Sequence, residues 1–413
     1  MGNRTGVCRS CQHSDLKEVL SLGRTPLANA LLTAQQLDEP EETYPLDLVF
    51  CPRCTLVQIT ETVPPTKLFR DYLYFSSFSD ALLQHAETIA TRLRKERALN
   101  EHSLVIEVAS NDGYLLQYYK RAGVPVLGIE PARNVARVAE KERGIPTICE
   151  FFDERLAARL VDRGQLADVI HANNVLAHVA DLNEFVCGLG RILKRDGVLI
   201  IEVPYVKNMI DRCEFDTIYH EHLSYFSLTA LVQLFSRHGL VIQNVERLDI
   251  HGGALRVYAG HAGSLEDHRL PAAEDVLKEE MEWGVDDYGF YLGFGARVAA
   301  LRDELVAFLR NLKLQGRRIA VYGASAKGST LLNVFRLGQE TLSYVVDRST
   351  VKQGLYTPGT RLQIFPPAKL LEDLPDYALL LTWNFAEEIL AQQAEYRRRG
   401  GRFIIPIPEL KVV

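Results

Sequence analysis

No stretch of this sequence stays apolar long enough to span a bilayer. Basic charge is not in excess either. The 47 Lys and Arg stand against 53 Asp and Glu, for a net charge of −6. That leaves nothing to hold a nucleic-acid backbone by charge. The first residues lack the apolar core of a secretory signal. Those after Gly2 lack the Ser or Thr of a myristoylation pattern. Low-complexity segments and tandem repeats are absent, and so are a full GxGxxG and a GxxxxGK. These absences predict a cytoplasmic protein with no membrane or nucleic-acid partner and with reduced cysteines. A monomer is expected.

With 413 residues the chain is too long for one compact core, and two to three domains are expected. Seven cysteines are present, four of them in two CxxC pairs: Cys8 with Cys11, and Cys51 with Cys54. In a reducing compartment such pairs point to metal rather than to a disulfide. Four thiolates can close a tetrahedron around zinc and leave no open position, which makes the ion structural. Residues 1–66 are therefore assigned to a zinc-binding domain, whose metal supplements a small core. The run Asp71 to Ser79 is rich in rings and hydroxyls. Its Tyr72, Ser76 and Ser77 suit a loop closing over a polar ligand, although packed aromatics ahead of a helix cap give the same pattern. The helix that follows is expected over 81–95, capped by Ser79 or Asp80.

From Leu104 onward strands and helices alternate. Strands are expected at 104–109, 126–130, 167–173 and 197–203, with helices at 114–121, 134–143 and 182–193. This alternation predicts a doubly wound, mostly parallel α/β sheet, whose ligands lie at the carboxyl ends of the strands. The first turn offers Glu107, Ala109, Asn111, Asp112 and Gly113 where a dinucleotide fold would place three glycines. Glu130 closes the second strand at the spacing of a ribose-gripping acid, and Asn173 and Asn174 close a later one. Missing pyrophosphate glycines argue against a dinucleotide and for a ligand without phosphates, such as S-adenosylmethionine. The unit is assigned to 67–280.

Within it lies the stretch FDTIYHEHLSYF, residues 215–226. Tyr219, His220, Glu221, His222 and Tyr225 put five groups able to hold or move a proton within seven residues. A helix is expected at 228–239, then strands at 241–248 and 254–259. The turn at His251 lies beside the expected sheet edge, where Arg256 could meet an anion. Residues 278–315 read as helical, interrupted at Gly284, Gly289, Gly293 and Gly295. A second Rossmann-like unit, assigned to 281–413, follows with strands at 318–322, 342–347, 379–382 and 403–407. Its turn GASAKG, residues 323–328, leaves backbone N–H groups free at a helix start, and Lys327 adds charge. Ser325, Lys327 and Gly328 are thus candidates for nucleotide phosphate.

The order CxxC…CxxC, VIEVASNDGYLL, FDTIYHEHLSYFS, HGGALRVY and VYGASAKGSTLLN resembles the three-domain sugar C-methyltransferases, which make branched deoxysugars on nucleotide carriers. The resemblance covers nearly the whole chain, and the YHEH and HGGALRVY motifs are specific to it. It implies structural zinc on the four cysteines and S-adenosylmethionine in the middle domain. It also implies a nucleotide-sugar held partly by the C-terminal domain, typically a dTDP-linked 4-keto-6-deoxyhexose. His222 is the implied base, supported by Tyr219 and Glu221, with Tyr74 and His178 as further active-site groups; His251, in the HGG turn, is a candidate for substrate. Methylation at C3 is favoured over C5. Rival readings are an NAD-dependent nucleotide-sugar enzyme, a non-catalytic binding module and methyl transfer to oxygen.

Overall fold

A computed structural model describes residues 3–4, 6–69, 75–250, 252–264 and 269–413. The expected site residues Tyr72, Tyr74 and His251 lie outside them. Near the N-terminus, strands Lys17–Thr25, Tyr44–Phe50 and Val57–Ile59 form an antiparallel sheet. Its fourth strand comes from far along the chain: Ser224 and Tyr225 pair with Gln58 and Val57.

The middle unit carries a seven-stranded sheet. In chain order its strands are Val105–Val108, Val126–Ile129, Thr147–Ile148, Ala167–Asn173, Leu193–Pro204, Leu240–Leu248 and Ala254–His261. They lie side by side as third, second, first, fourth, fifth, seventh, sixth. Only the last strand runs antiparallel to both its neighbours. Central strands carry apolar residues at successive positions because both faces are covered. Neighbouring residues therefore enter different cores. Val105, Val169 and Ile200 pack under the helix Asp80–Glu96, while Ile106, Ile170 and Ile201 pack under Glu154–Asp162, Leu182–Ile192 and Leu228–Ser236. Ser79 caps the first of these helices by accepting from Leu82 N–H at 3.3 Å. The helix Glu154–Asp162, capped by Asp153, is an element the sequence pattern had not marked.

The C-terminal unit holds a six-stranded sheet. Strands Ile364–Phe365, Val345–Val346, Ile319–Tyr322, Tyr377–Leu380 and Arg402–Ile405 run parallel, and Lys411–Val412 closes the edge antiparallel. Two expectations are corrected here. The helix Tyr288–Leu314 runs straight through Gly289, Gly293 and Gly295, and the chain breaks only at Gly284, which ends Pro271–Trp283 in a left-handed cap. Each internal glycine costs about 1 kcal/mol of helix propensity, but the buried stripe Tyr291, Phe294, Val298, Leu301 and Leu305 offsets it. The strand carrying Arg256 is not at the sheet edge, because Leu240–Leu248 lies outside it.

One apolar core joins all three parts. Leu46, Leu48 and Phe50 of the first sheet share it with Phe215, Ile218 and Tyr225, with the long helix, and with Leu331 and Phe335 of the C-terminal unit. Phe215 stacks on Phe335 at 4.8 Å, and Phe50 on Tyr291 at 4.5 Å.

Candidate active site

The 215–226 stretch is buried almost throughout, which is why it takes one conformation without long regular structure. His222 Nδ1 lies 2.9 Å from the Thr217 carbonyl. A carbonyl can only accept, so Nδ1 carries the proton and Nε2 keeps its lone pair. The Tyr219 hydroxyl donates to that lone pair at 2.9 Å. His178 donates from Nδ1 to the Glu221 carbonyl at 2.7 Å, and its ring centre lies 4.9 Å from that of His222. Burial lowers His178 to about 4, so it is neutral at physiological pH. Asn29, from the N-terminal segment, donates to Glu221 Oε1 at 2.7 Å. Burial raises the Glu221 carboxyl to about 7, against the opposing pull of Asn29 and Lys352. The neighbouring His220 turns away, its Nε2 lying 3.1 Å from the Pro45 carbonyl and its ring against Tyr44, and so ties the stretch to the first sheet.

Tyr219, Glu221, His222 and His178 line a cavity of about 770 Å³. At one end its wall is Ala109, Asn111, Glu130, Asn173 and Asn174, at the carboxyl ends of the first, second and fourth strands of the seven-stranded sheet. Three of these, Ala109, Asn111 and Asn174, hold left-handed backbone at φ 60°, 48° and 54°. Glu130 accepts from Asn111 N–H at 2.9 Å and from Ala132 N–H at 2.8 Å. Burial raises it to about 7. Phe151, Phe152, Tyr114 and Leu82 supply apolar wall. At the other end Ser325, Lys327, Asp347, Lys352 and Thr382 enter from the C-terminal unit.

Several expected site residues sit behind this wall rather than on it. Glu107 is buried in the first strand, its carboxyl pushed up by burial and by Asp112, Glu130 and Glu202. Asp112 takes the Ser77 hydroxyl and lies 3.5 Å from Arg143, so Ser77 is spent on the first turn, while Ser76 reaches the wall. Gly113 shapes the turn: at φ +77°, a Cβ there would lie 2.9 Å from Ile145. Gly328 packs its helix on Leu381, 2.7 Å from where its Cβ would be, and does not line the cavity. Arg256 is the clearest correction. Its guanidinium is buried against Glu202 at 2.7 Å and Glu246 at 2.9 Å, beside His85, and no part of it reaches the cavity. An interior strand gave it internal partners in place of an anion.

Sequence reasoning missed Asn29, Lys352 and Thr382. Nothing around them forms a motif; only the fold brings them to the cavity. Asp347 carried a signal, as an acid ending a strand, but was not taken as a site residue.

Cys8 Sγ lies 3.4 Å from Cys54 Sγ, and Cys11 Sγ 3.6 Å from Cys51 Sγ. All four sulfurs fall within 4.8 Å of one another. Zinc–sulfur bonds of ~2.3 Å in a tetrahedron need sulfurs ~3.8 Å apart, so the donor set fits zinc with small adjustments.

The doubly wound sheet, the acid-closed second strand and the four-cysteine knot define a zinc-bearing, S-adenosylmethionine-dependent methyltransferase. Three family models match in succession: a zinc binding domain over 8–69, a methyltransferase domain over 82–245, and a C-methyltransferase C-terminal domain over 249–408. The chain is 37% identical over 407 residues to the C-methyltransferase NovU of Streptomyces niveus, covering 98% of this chain and 96% of that one, and it belongs to this C-methyltransferase family. A ubiquinone biosynthesis O-methyltransferase of Bartonella quintana (strain Toulouse) is 27% identical over 101 residues, 24% of this chain and 41% of that protein. Among solved structures, magnesium protoporphyrin IX methyltransferase of Synechocystis PCC 6803 aligns with a TM-score of 0.34 and 14% identity, over 43% of this chain and 78% of that one.

The residues present fit the cofactor. Asn173 lines the cavity, and its buried Oδ1 has no hydrogen-bond partner among the described residues, an orphaned acceptor beside the space the cofactor would fill. Asn111, Glu130, Asn173 and Asn174 would hold S-adenosylmethionine there.

Proposed function

We propose that this C-methyltransferase methylates a carbon beside the ketone of a dTDP-linked 4-keto-6-deoxyhexose, C3 in preference to C5. The supporting observation is the continuity of the cavity. It runs from the Glu130 end, past the lone pair of His222, to Lys327 and Lys352. Such a path can hold a cationic methyl donor, a keto sugar and an anionic nucleotide in line. Cysteines free of disulfides suit a reducing cytoplasm.

A saturated sugar carbon is no nucleophile. A neighbouring ketone makes its proton removable, because the charge passes to the ketone oxygen as an enolate. His222 Nε2 takes that proton; as the substrate enters, it displaces the Tyr219 hydroxyl from Nε2. The freed hydroxyl then donates to the C4 oxygen and holds the enolate. Thr217 keeps Nδ1–H in place throughout, so the imidazolium formed is oriented and partly stabilised. When bound, S-adenosylmethionine supplies the electrophilic methyl. Neutral His178 keeps the Glu221 backbone fixed and adds no competing positive charge beside the base. Tyr74, by family resemblance, and His251, from its place in the HGG turn, are assigned to the same sugar end; both lie outside the described residues. Ser325, Lys327 and Lys352 hold the diphosphate.

The test is incubation with S-adenosylmethionine and a dTDP-4-keto-6-deoxyhexose in deuterated water, read by mass spectrometry and NMR beside His222→Ala. A new methyl on C3, lost in the variant, is expected. With S-adenosylhomocysteine in place of the donor, deuterium should enter C3 without methylation. A methyl at C5 would move the site. Neither methyl nor deuterium on any such sugar would refute the substrate.

A further inference from the structure

We propose that Asn29, from the zinc-bearing segment, is a positioning residue for the methyl-transfer centre: its side-chain amide holds Glu221 Oε1 and leaves Oε2 of that carboxyl for the substrate. The inference rests on the reading of the site given above and adds a residue that no motif marks.

The geometry is specific. Asn29 Nδ2 lies 2.7 Å from Glu221 Oε1, across 192 positions of sequence. Both residues line the cavity. Glu221 sits between Tyr219 and His222 on one chain segment, and its own carbonyl accepts from His178 Nδ1–H. Moving the Glu221 side chain therefore leaves a gap in the wall beside the base. The charged and titratable groups lining the cavity are Lys327, Asp347 and Lys352 from the C-terminal unit, Lys67 from the N-terminal segment, Tyr114, Glu130, His178, Asp181 and Glu184 from the middle unit, and Tyr219 and His222 on the same segment. Lys352 is the cation that bears on Glu221, pulling its pKa down against burial.

A neutral amide is the donor this position calls for. A lysine at position 29 would fix Glu221 as an anion. An aspartate would oppose its ionisation. Asn29 donates one hydrogen bond and leaves the carboxyl free to change charge near neutrality, where burial already places it. It also commits the proton of the neutral acid to Oε2, the oxygen without the amide.

The experiment uses the full-length zinc-loaded enzyme, Asn29→Ala and the isosteric Asn29→Asp. Two quantities are read. One is the Glu221 carboxyl titration by 13C NMR, assigned with Glu221→Gln and needing no substrate. The other is the pH profile of kcat/KM with the keto sugar. Asn29→Ala is expected to raise the carboxyl midpoint by about one pH unit, since a hydrogen bond to the charged form is lost. Asn29→Asp should raise it further. The acidic limb of kcat/KM should move by the same amount, with zinc content and S-adenosylmethionine affinity unchanged. A midpoint and a limb that stay put in the folded variants overturn the proposal. If the carboxyl moves but the wild-type enzyme alters no keto sugar, the substrate reading fails and the Asn29–Glu221 coupling stands. If Asn29→Ala fails to fold, Asn29→Asp decides by the same two readouts, because it preserves the shape of the residue.

Discussion

The two α/β units use one device in two electrostatic settings. In the first, Glu130 ends the second strand and accepts from the first turn, at Asn111 N–H, and from Ala132 two residues on. In the second, Asp347 ends the second strand and accepts from Ala324 N–H of the first turn at 2.8 Å and from Ser349 two residues on at 2.8 Å. Both acids pin the turn that faces the shared cavity. Their surroundings differ in sign. Glu130 sits with Glu107 and Asp112, while Lys327 and Lys352 join Asp347 on the cavity wall. The same backbone scaffold therefore carries carboxyls at one end of the cavity and lysines at the other, and on that difference rests the proposal of a methyl donor at the first end and an anionic nucleotide at the second.

The largest expected effect removes the frame that holds both ends. Cys51→Ser, or chelation of zinc, should cost most of the stability of the N-terminal sheet and lower the melting temperature by about ten degrees or more, since structural zinc supplies roughly 10 kcal/mol of folding free energy. Calorimetry with metal analysis checks this; a zinc-free protein with an unchanged melting point would refute it. Next, His222→Ala should lower kcat by ~10³, with S-adenosylmethionine still bound, which isotope exchange and calorimetric titration read separately. The charge comparison itself is broken by the double variant Lys327→Ala/Lys352→Ala. It should raise KM for the nucleotide-linked substrate by ~100-fold, about tenfold per lost charged contact. Affinity for the methyl donor should stay the same. The converse is Glu130→Gln, expected to weaken S-adenosylmethionine by ~10-fold and to leave that KM alone. If both variants affect both ligands, the two ends are not separate.

The smallest effect concerns acidity. Burial raises Glu130 and Glu221 to about 7 and Glu214 to about 8, from an ordinary value of 4.5. The folded protein thus keeps protons that the unfolded chain releases. Each group's contribution is complete below pH 4.5 and is lost as pH rises through its folded value. The buried His171 and His178, lowered to about 3 and about 4, act in the opposite sense: their contribution is present above pH 6.5 and lost as pH falls. Between pH 6.5 and 8 the acids dominate among these five groups, because the unfolded imidazoles have only their last half proton left to release there. The ligand-free protein should lose about 1 kcal/mol per carboxyl across that window, seen as a melting point falling by a few degrees. A flat profile would show the acids to be ionised in the fold.

Much of this was legible beforehand, for identifiable reasons. The stretches at 105–108 and 167–173 show as strands because each sets apolar residues at successive positions for two buried faces, and the Cys pairs show because thiols at that spacing have few other uses. Tyr219, Glu221 and His222 lie close in sequence as well as in space. Arg256 was misplaced because strand order is a long-range property: the last strand enters between two others, and local pattern cannot tell an edge from an interior. The long helix was misjudged because glycine propensity is local and the packing of Phe294 and Leu305 is not. Asn29 and Lys352 reach the cavity only through the assembly of all three parts, so no local pattern could point to them.

The strand Ser224–Tyr225, which completes the N-terminal sheet, has a consequence for how the protein is made. Its partner, Val57–Ile59, leaves the ribosome much earlier. At roughly 5–20 residues per second the nascent sheet waits on the order of ten seconds with an open edge. During that interval an unpaired strand is exposed to other chains. The two CxxC pairs lie wholly within the part already synthesised, so early zinc capture can hold the incomplete sheet until the segment bearing His222 arrives. Metal supply during translation, rather than after it, would then govern the yield of active enzyme.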